Sequence, residues 1–270
     1  MISTIGTIAS NQLTQEYTTI LSQSNVAGYS RPSYINQLRQ DTLIRSLKQD
    51  GSWNLMDVMY IFANDESTGN FSLLNWINPS LYPLTKINSP TFFPNAGWGG
   101  GTNILLSSSW SPSIGVNFQQ NNASFGGMIF NTPEATAAAL IGTTGTAHSN
   151  VFMIPRQAST YRTSLNNGAL NAVTIPQNFM AKKVLGAFRS SSTAYDQFYP
   201  SSSTVNAINI QAVASTTRTT QQLNILSAVQ TTTRQFGGIN TASMFWAGGY
   251  GIRDRLTTFT GSMTTYINSL

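Results

Sequence analysis

The stretch Trp53-Asn54-Leu55-Met56-Asp57-Val58-Met59-Tyr60-Ile61-Phe62-Ala63 divides the chain into two kinds of sequence. Upstream of it, apolar residues recur every three or four positions. Leu13, Tyr17, Ile20 and Leu21 predict a helix over 12–23 capped by Asn11, and Ile35 with Leu38 and Leu43 with Leu47 predict a second over 33–49. Gly28 and Pro32 separate the two, and Asp50-Gly51 ends the second. Downstream, to about Ala247, apolar residues come in short or alternating runs set between Gly, Pro, Asn and Ser. That is the pattern of an antiparallel sandwich or barrel, so the chain is expected to be mainly β with helices at its front.

Strands are expected at 58–63, 71–77, 123–130, 151–154, 183–188, 207–213, 223–229 and 242–247. Asn121-Asn122 and Asn166-Asn167-Gly168 supply the turn chemistry between runs. The Ala-rich stretch 133–140 reads either as a short helix, from its opening Pro133-Glu134, or as a sheet connection. Ile252, Leu256, Phe259, Met263, Tyr266 or Ile267, and Leu270 repeat at helical spacing and predict a closing helix over about 252–269. Its apolar stripe suits packing on the chain's own sandwich or on a partner helix. At 270 residues, with no internal repeat and no long linker, one main domain is expected. The helical leader covers 1–52, and the β-sandwich ending in the last helix covers 53–270.

Composition narrows the chemistry. Charged residues make up 9% of the chain, against about 25% in an ordinary soluble domain, so hydroxyls and amides wet its surface. The net charge of +5 comes from basic residues spread thinly between Arg31 and Arg255, without the clustered patch that tracks phosphates. No nucleic-acid partner is expected. The absence of cysteine excludes disulfides, thiolate metal sites and a cysteine nucleophile. With a single histidine, His148, no zinc site and no cofactor are expected. Met1-Ile2-Ser3-Thr4-Ile5-Gly6 has no positively charged lead into an apolar run, so no secretory signal is expected. No window reaches the ~20 apolar residues of a membrane span, so no membrane insertion is expected either.

Catalytic sets are hard to assemble from what remains. His148 lies in a loop-like Gly145-Thr146-Ala147-His148-Ser149-Asn150 context and reads as a solvated loop residue rather than part of a triad. A glycosidase needs two carboxyl groups across the scissile bond. The candidates are Glu16, Asp41, Asp50, Asp57, Asp65, Glu66, Glu134, Asp196 and Asp254, the first three of them expected to be solvated on helices. Asp65-Glu66 could offer oxygens to calcium but lacks a spaced acidic series, so Asn64-Asp65-Glu66-Ser67-Thr68-Gly69-Asn70 reads as an exposed turn. Gly97-Trp98-Gly99-Gly100-Gly101 lacks the Lys-Ser/Thr of a phosphate loop and reads as a bend between strands. Trp98, Trp110, Tyr195, Phe198 and Tyr199 fall in loop-like surroundings, and of these Trp110, Tyr195 and Tyr199 are the candidates for stacking on sugar rings.

Several motifs together resemble a known family. Glu16-Tyr17-Thr18-Thr19-Ile20-Leu21, Gly28-Tyr29-Ser30-Arg31-Pro32-Ser33 and Leu43-Ile44-Arg45-Ser46-Leu47-Lys48-Gln49-Asp50-Gly51-Ser52-Trp53 are followed by Asp57 to Ala63, Leu74-Asn75-Trp76-Ile77-Asn78-Pro79 and Val116-Asn117-Phe118-Gln119-Gln120-Asn121. This order resembles the concanavalin A-like (laminin-G-like) jelly-roll domains of tailed-bacteriophage structural proteins and their helical leaders. The similarity thins after the first half to Leu165-Asn166, Gly186-Ala187-Phe188-Arg189-Ser190-Ser191 and Phe245-Trp246-Ala247-Gly248-Gly249. It implies two facing antiparallel sheets on a virion surface. The calcium-ligating acids of legume lectins are missing from this chain, which separates the fold from lectin activity.

The expectation is a non-enzymatic virion structural protein, a head or tail decoration or fibre component. Its expected partners are other virion proteins and copies of itself. The alternative is a module that binds a host surface glycan. A polysaccharide depolymerase ranks third, since it would need two of Asp57, Asp65, Asp196 and Asp254 to converge.

Overall fold

The computed structural model describes residues 12–101, 103–133, 138–143, 151–175, 181–200, 206–230, 233–235 and 240–270. Two helices come first. In α1 (Gln15–Val26) the cap is Thr14, whose Oγ1 accepts from the Tyr17 N–H at 3.3 Å. Asp41 places that cap by accepting from the Thr14 N–H at 2.7 Å and its hydroxyl at 2.6 Å, so the helix starts later than the periodicity alone predicts. Asn11, the expected cap, lies outside the described residues. The second helix, α2 (Tyr34–Gln49), lies where it is expected, and Ser33, the first residue of the expected range, is its cap. The closing helix α3 (Leu256–Ser269) is shorter than expected, because Tyr250–Arg255 form a 3-10 turn before it.

Two antiparallel sheets follow, as the period-2 runs predict. The first runs edge to edge as β13 (Asn206–Ala212), β12 (Ala194–Pro200), β11 (Lys183–Arg189), β6 (Ala123–Ile129), β17 (Thr241–Gly248), β4 (Gly97–Gly99) and β3 (Thr91–Phe93). Beside β4, β1 (Met56–Ile61) pairs with the rest of β17. The second sheet runs β10 (Asn171–Thr174), β9 (Thr160–Leu165), β8 (Val151–Gln157), β7 (Ile141–Thr143), β14 (Leu223–Ile225), β5 (Leu105–Ser108) and β2 (Leu84–Ile87). A small hairpin joins β15 (Ala228–Gln230) to β16 (Thr233–Gln235).

These layers enclose two cores. Val58, Tyr60, Phe125, Leu185 and Phe245 of the first sheet meet Leu106, Ile141, Met153, Tyr161 and Leu223 of the second. On its other face the first sheet presents Met59, Ile61, Met128, Phe188, Phe198, Met244 and Trp246 to Tyr17, Ile20, Leu43, Leu47, Phe259, Met263 and Ile267 of the helices. The helical leader is therefore a third layer sharing a core with the sandwich. The stripe of α3 faces the chain's own sheet.

Burial on both sides explains why β6 and β17 are buried along their whole length, without polar alternation. Across this sheet the register aligns Trp246 with Gly126, Gly126 with Gly186, and Gly186 with Phe198. With no side chain on the two middle strands, the Trp246 and Phe198 rings come within 6.1 Å of each other over the glycines. Phe259 of α3 then packs edge-on to Trp246 at 4.9 Å.

Several sequence expectations change. Residues 71–77 are no strand: Asn70–Leu73 make a 3-10 turn, and Asn75 Oδ1 accepts from the N–H groups of Met59 and Ile77. A side chain thus replaces the ladder beside β1. The run 223–229 breaks into two short strands at Leu226, whose φ is +74°. Gly97 to Gly99 form β4 rather than a bend, and at Gly97 (φ +120°) a Cβ would lie 1.9 Å from the Ala242 carbonyl oxygen. In the Ala-rich stretch, Ala138 to Leu140 lead into β7, with the Leu140 N–H donating to Met153, while 134–137 lie outside the described residues.

Candidate functional site

The loop between β5 and β6 is held by side chains from two distant parts of the chain. It contains Ser111 to Phe118, with a 3-10 turn at Pro112–Ile114. From β1, Asp57 Oδ1 accepts from the N–H groups of Val116 at 2.9 Å and Asn117 at 3.0 Å, and Oδ2 accepts from Phe118 at 2.7 Å. Arg218 Nη1 donates to the same loop from the other side, lying 3.1, 2.9 and 2.6 Å from the carbonyl oxygens of Pro112, Gly115 and Phe118. One carboxylate thus gathers the loop's N–H groups and one guanidinium its carbonyls. The turn is further tied down where the Ser113 N–H donates to Thr219.

Two apolar side chains project from this pinned loop. Val116 is 80% exposed and Ile114 48% exposed. Phe118 and Trp110 point the other way, edge to face at 5.6 Å inside the core. A rigid loop bearing exposed apolar residues loses little conformational entropy on contact, which is what a protein-binding tip requires. Asp57→Ala should strand three N–H groups and cost about 3 kcal/mol, with Arg218→Ala costing less. Urea unfolding measures both, and an unchanged midpoint for Asp57→Ala would contradict the pinning.

A second concavity lies on the helical layer. Arg255 donates from Nε to the Asp50 carbonyl at 2.6 Å, while the Tyr266 hydroxyl lies 3.3 Å from Asn36 Oδ1, so α2 and α3 run antiparallel. Between them opens a groove of about 860 Å³, floored by Leu43 and Tyr266 and rimmed by Thr42, Ser46, Ser262 and Thr265. Beneath it the Tyr17 hydroxyl donates to Gln40 at 2.6 Å, Gln40 Nε2 donates to the Tyr266 oxygen at 3.0 Å, and the Tyr266 hydroxyl donates to the Ala63 carbonyl at 2.6 Å. Burial pushes both tyrosines well above the ordinary phenol range, so they serve as fixed donors.

Trp110 and Tyr195 are buried in the sandwich core and present no open ring face. Tyr195 lies on β12, not in a loop, its hydroxyl bonded to Thr163. Tyr199, also on β12, is half-buried and packs against Tyr161 at 6.2 Å. Trp98 donates to Ser72 Oγ at 2.7 Å, and Phe198 stacks on Phe188. The three candidate rings do not form one platform. His148 and Glu134 lie outside the described residues.

Seven of the nine carboxylates, Asp57 among them, make contacts within the fold, while Asp254 is exposed. Asp41 is buried and pairs with Arg45, Glu16 pairs with Lys48, and Asp50 accepts from the Ser52 N–H at 2.8 Å, so none of the three is simply solvated. Asp65 Oδ1 accepts from the Ser33 N–H at 2.9 Å at the start of α2. Glu66 is buried rather than in an exposed turn, accepting from the Thr68 N–H and hydroxyl. Asp196 pairs with Arg253. Asp57 lies near the start of β1 and Asp65 four residues past its end, with roughly 13 Å of strand between them. Among the described residues, no group of three or more His, Asp or Glu is placed to hold a metal ion.

No family profile and no curated protein matches the chain. Among solved structures, domain 4 of AbnA, a GH43 extracellular arabinanase from Geobacillus stearothermophilus in complex with arabinotriose, aligns with a TM-score of 0.43 and 11% identity. The alignment covers 76% of this chain and 98% of that one. The receptor binding domain of botulinum neurotoxin mosaic serotype C/D aligns with a TM-score of 0.40 and 5% identity, over 73% of this chain and 46% of that one. Trypanosoma rangeli sialidase in complex with sialic acid gives 0.32 and 9%, over 83% and 39%. Likeness at this level leaves ligand and activity to be argued from the residues themselves.

Proposed function

We propose that this chain is a non-enzymatic structural subunit of a tailed-phage virion, and that it meets a neighbouring virion protein through the loop bearing Ile114 and Val116. The observation that carries the reading is the double pinning of that loop by Asp57 and Arg218, which holds two exposed apolar side chains in a fixed geometry. Two further facts support it. Asp57, Asp65 and Asp196 are each engaged in a separate fold contact, which speaks for a structural role of the acids. A chain in which only 9% of residues are charged also needs few ions desolvated when subunits pack together. The resemblance of the leader and first half to phage jelly-roll proteins supplies the setting.

The test is to locate the chain in purified particles by mass spectrometry and cryo-EM, and to compare Val116→Lys with wild type. Val116→Lys should fold with an unchanged melting temperature and lose incorporation into the particle. Absence of the wild-type chain from the particle would overturn the virion role, and full incorporation of Val116→Lys would overturn the role of the loop. Titration with host surface polysaccharide separates the glycan-binding reading: saturable binding abolished by Tyr199→Ala would replace the proposal with that one.

A further inference from the structure

Among the described residues, one edge of the first sheet lacks the features that keep sheet edges from pairing. An edge strand carries a row of free N–H and C=O groups, which natural proteins blunt with lysine, proline, a bulge or a covering segment. Here β13 reads Asn-Ala-Ile-Asn-Ile-Gln-Ala, all seven residues in unbroken register with Ala194–Pro200 of β12. It contains no proline, and residues 201–217 contain no charge. Among the described residues no strand pairs with its other flank.

Its exposed face is apolar. The register puts Ile208 beside Phe198 and Ile210 beside Asp196, on the face that the helices cover farther in. The helical layer stops short of β13: Phe198 is buried, while Ile208 is 39% and Ile210 69% exposed. The opposite face is anchored, since Asn209 Nδ2 and Gln211 Nε2 donate to Gln197 Oε1 at 3.3 and 2.9 Å. The strand is therefore held in register, and among the described residues its outer edge is unpaired.

We propose that β13 pairs antiparallel with β13 of a second copy, about a two-fold axis at Asn209, joining the two first sheets into one. A second copy fits because the strand is self-complementary about that centre. Ile208 then faces the partner's Ile210 and Ile210 the partner's Ile208, so four isoleucines close over one another on one face, and each open backbone group meets its counterpart. Charge does not oppose this choice at the contact itself, since residues 201–217 carry none and the pairing brings no like charges together. The inference concerns the isolated chain in solution and stands apart from the virion reading.

Sedimentation equilibrium over a concentration series should show a reversible dimer of the wild-type chain. Ile210→Lys should be monomeric throughout with an unchanged melting temperature, because the side chain it replaces is exposed. A second variant fixes the register: Asn209→Cys introduces the chain's sole cysteine, and on the axis its Cα lies about 4.5 to 5.5 Å from its counterpart, within disulfide range. Mild oxidation should give a covalent dimer that Ile210→Lys abolishes. A wild-type monomer at every concentration overturns the proposal. So does a dimer that survives Ile210→Lys, or a failure of Asn209→Cys to cross-link.

Discussion

Replacing Gly126 by valine is expected to abolish the folded state. A Cβ on Gly126 would lie 2.0 Å from Cη2 of Trp246 and 2.3 Å from the Leu185 carbonyl oxygen. The ring could swing only into Phe198 at 6.1 Å or Phe259 at 4.9 Å, and the carbonyl belongs to β11, paired along its length with β6. Neither neighbour can yield without opening the interface between sheet and helices. Alanine carries the same Cβ without valine's two added methyls, and should cost at least about 3 kcal/mol, the upper end for an overpacked core. Trp246→Ala should cost about 3 to 5 kcal/mol through the cavity it leaves. In the Gly126→Ala/Trp246→Ala pair, removing the ring relieves part of the clash, so the combined loss should fall short of the sum. Urea unfolding followed by circular dichroism measures all three, and strict additivity would mean that Trp246 does not rest on Gly126.

Alkaline unfolding should be steep. Tyr17, Tyr60, Tyr161, Tyr195 and Tyr266 are all buried, and burial is the largest cause holding each phenol above its ordinary value. Below about pH 10 both folded and unfolded chains keep these protons, and the stability is fully present. Above it the unfolded chain releases protons that the folded chain retains, so stability falls as pH rises, by about 1.4 kcal/mol per tyrosine per pH unit. Five such groups give a slope of about 7 kcal/mol per unit, enough to unfold a domain of ordinary stability, about 5 to 15 kcal/mol, within one or two units. Tyrosinate absorbance and circular dichroism should therefore change together. Titration of these five side chains near pH 10 with the ellipticity intact would contradict their burial.

Helices α1, α2 and α3 were legible because helical spacing and capping are local: Ser33 and the repeat from Leu256 to Ile267 lie within a few residues of what they control. The Asn166-Asn167-Gly168 turn was legible for the same reason, since Asn166 adopts a φ of +48° that its side chain tolerates. The segment 71–77 misled because its apolar residues pack under a side-chain contact from Asn75, which periodicity does not register. Trp110 and Tyr195 misled because whether an aromatic ring stacks on a ligand or fills a core depends on what lies across from it. The pinned loop had no sequence signal, as Asp57 and Arg218 reach it from distant parts of the chain.

The sequence by itself determined that a helical leader precedes an antiparallel β body closed by a helix, because hydrophobic period and turn residues act over a few positions. Only the tertiary structure decided that the leader shares a core with the first sheet, that Gly126 and Gly186 make room for Trp246 and Phe198, and that one end of that sheet is left uncovered at β13. Those outcomes depend on which faces meet after the chain has closed, and contacts between residues far apart in sequence leave no pattern in either one alone.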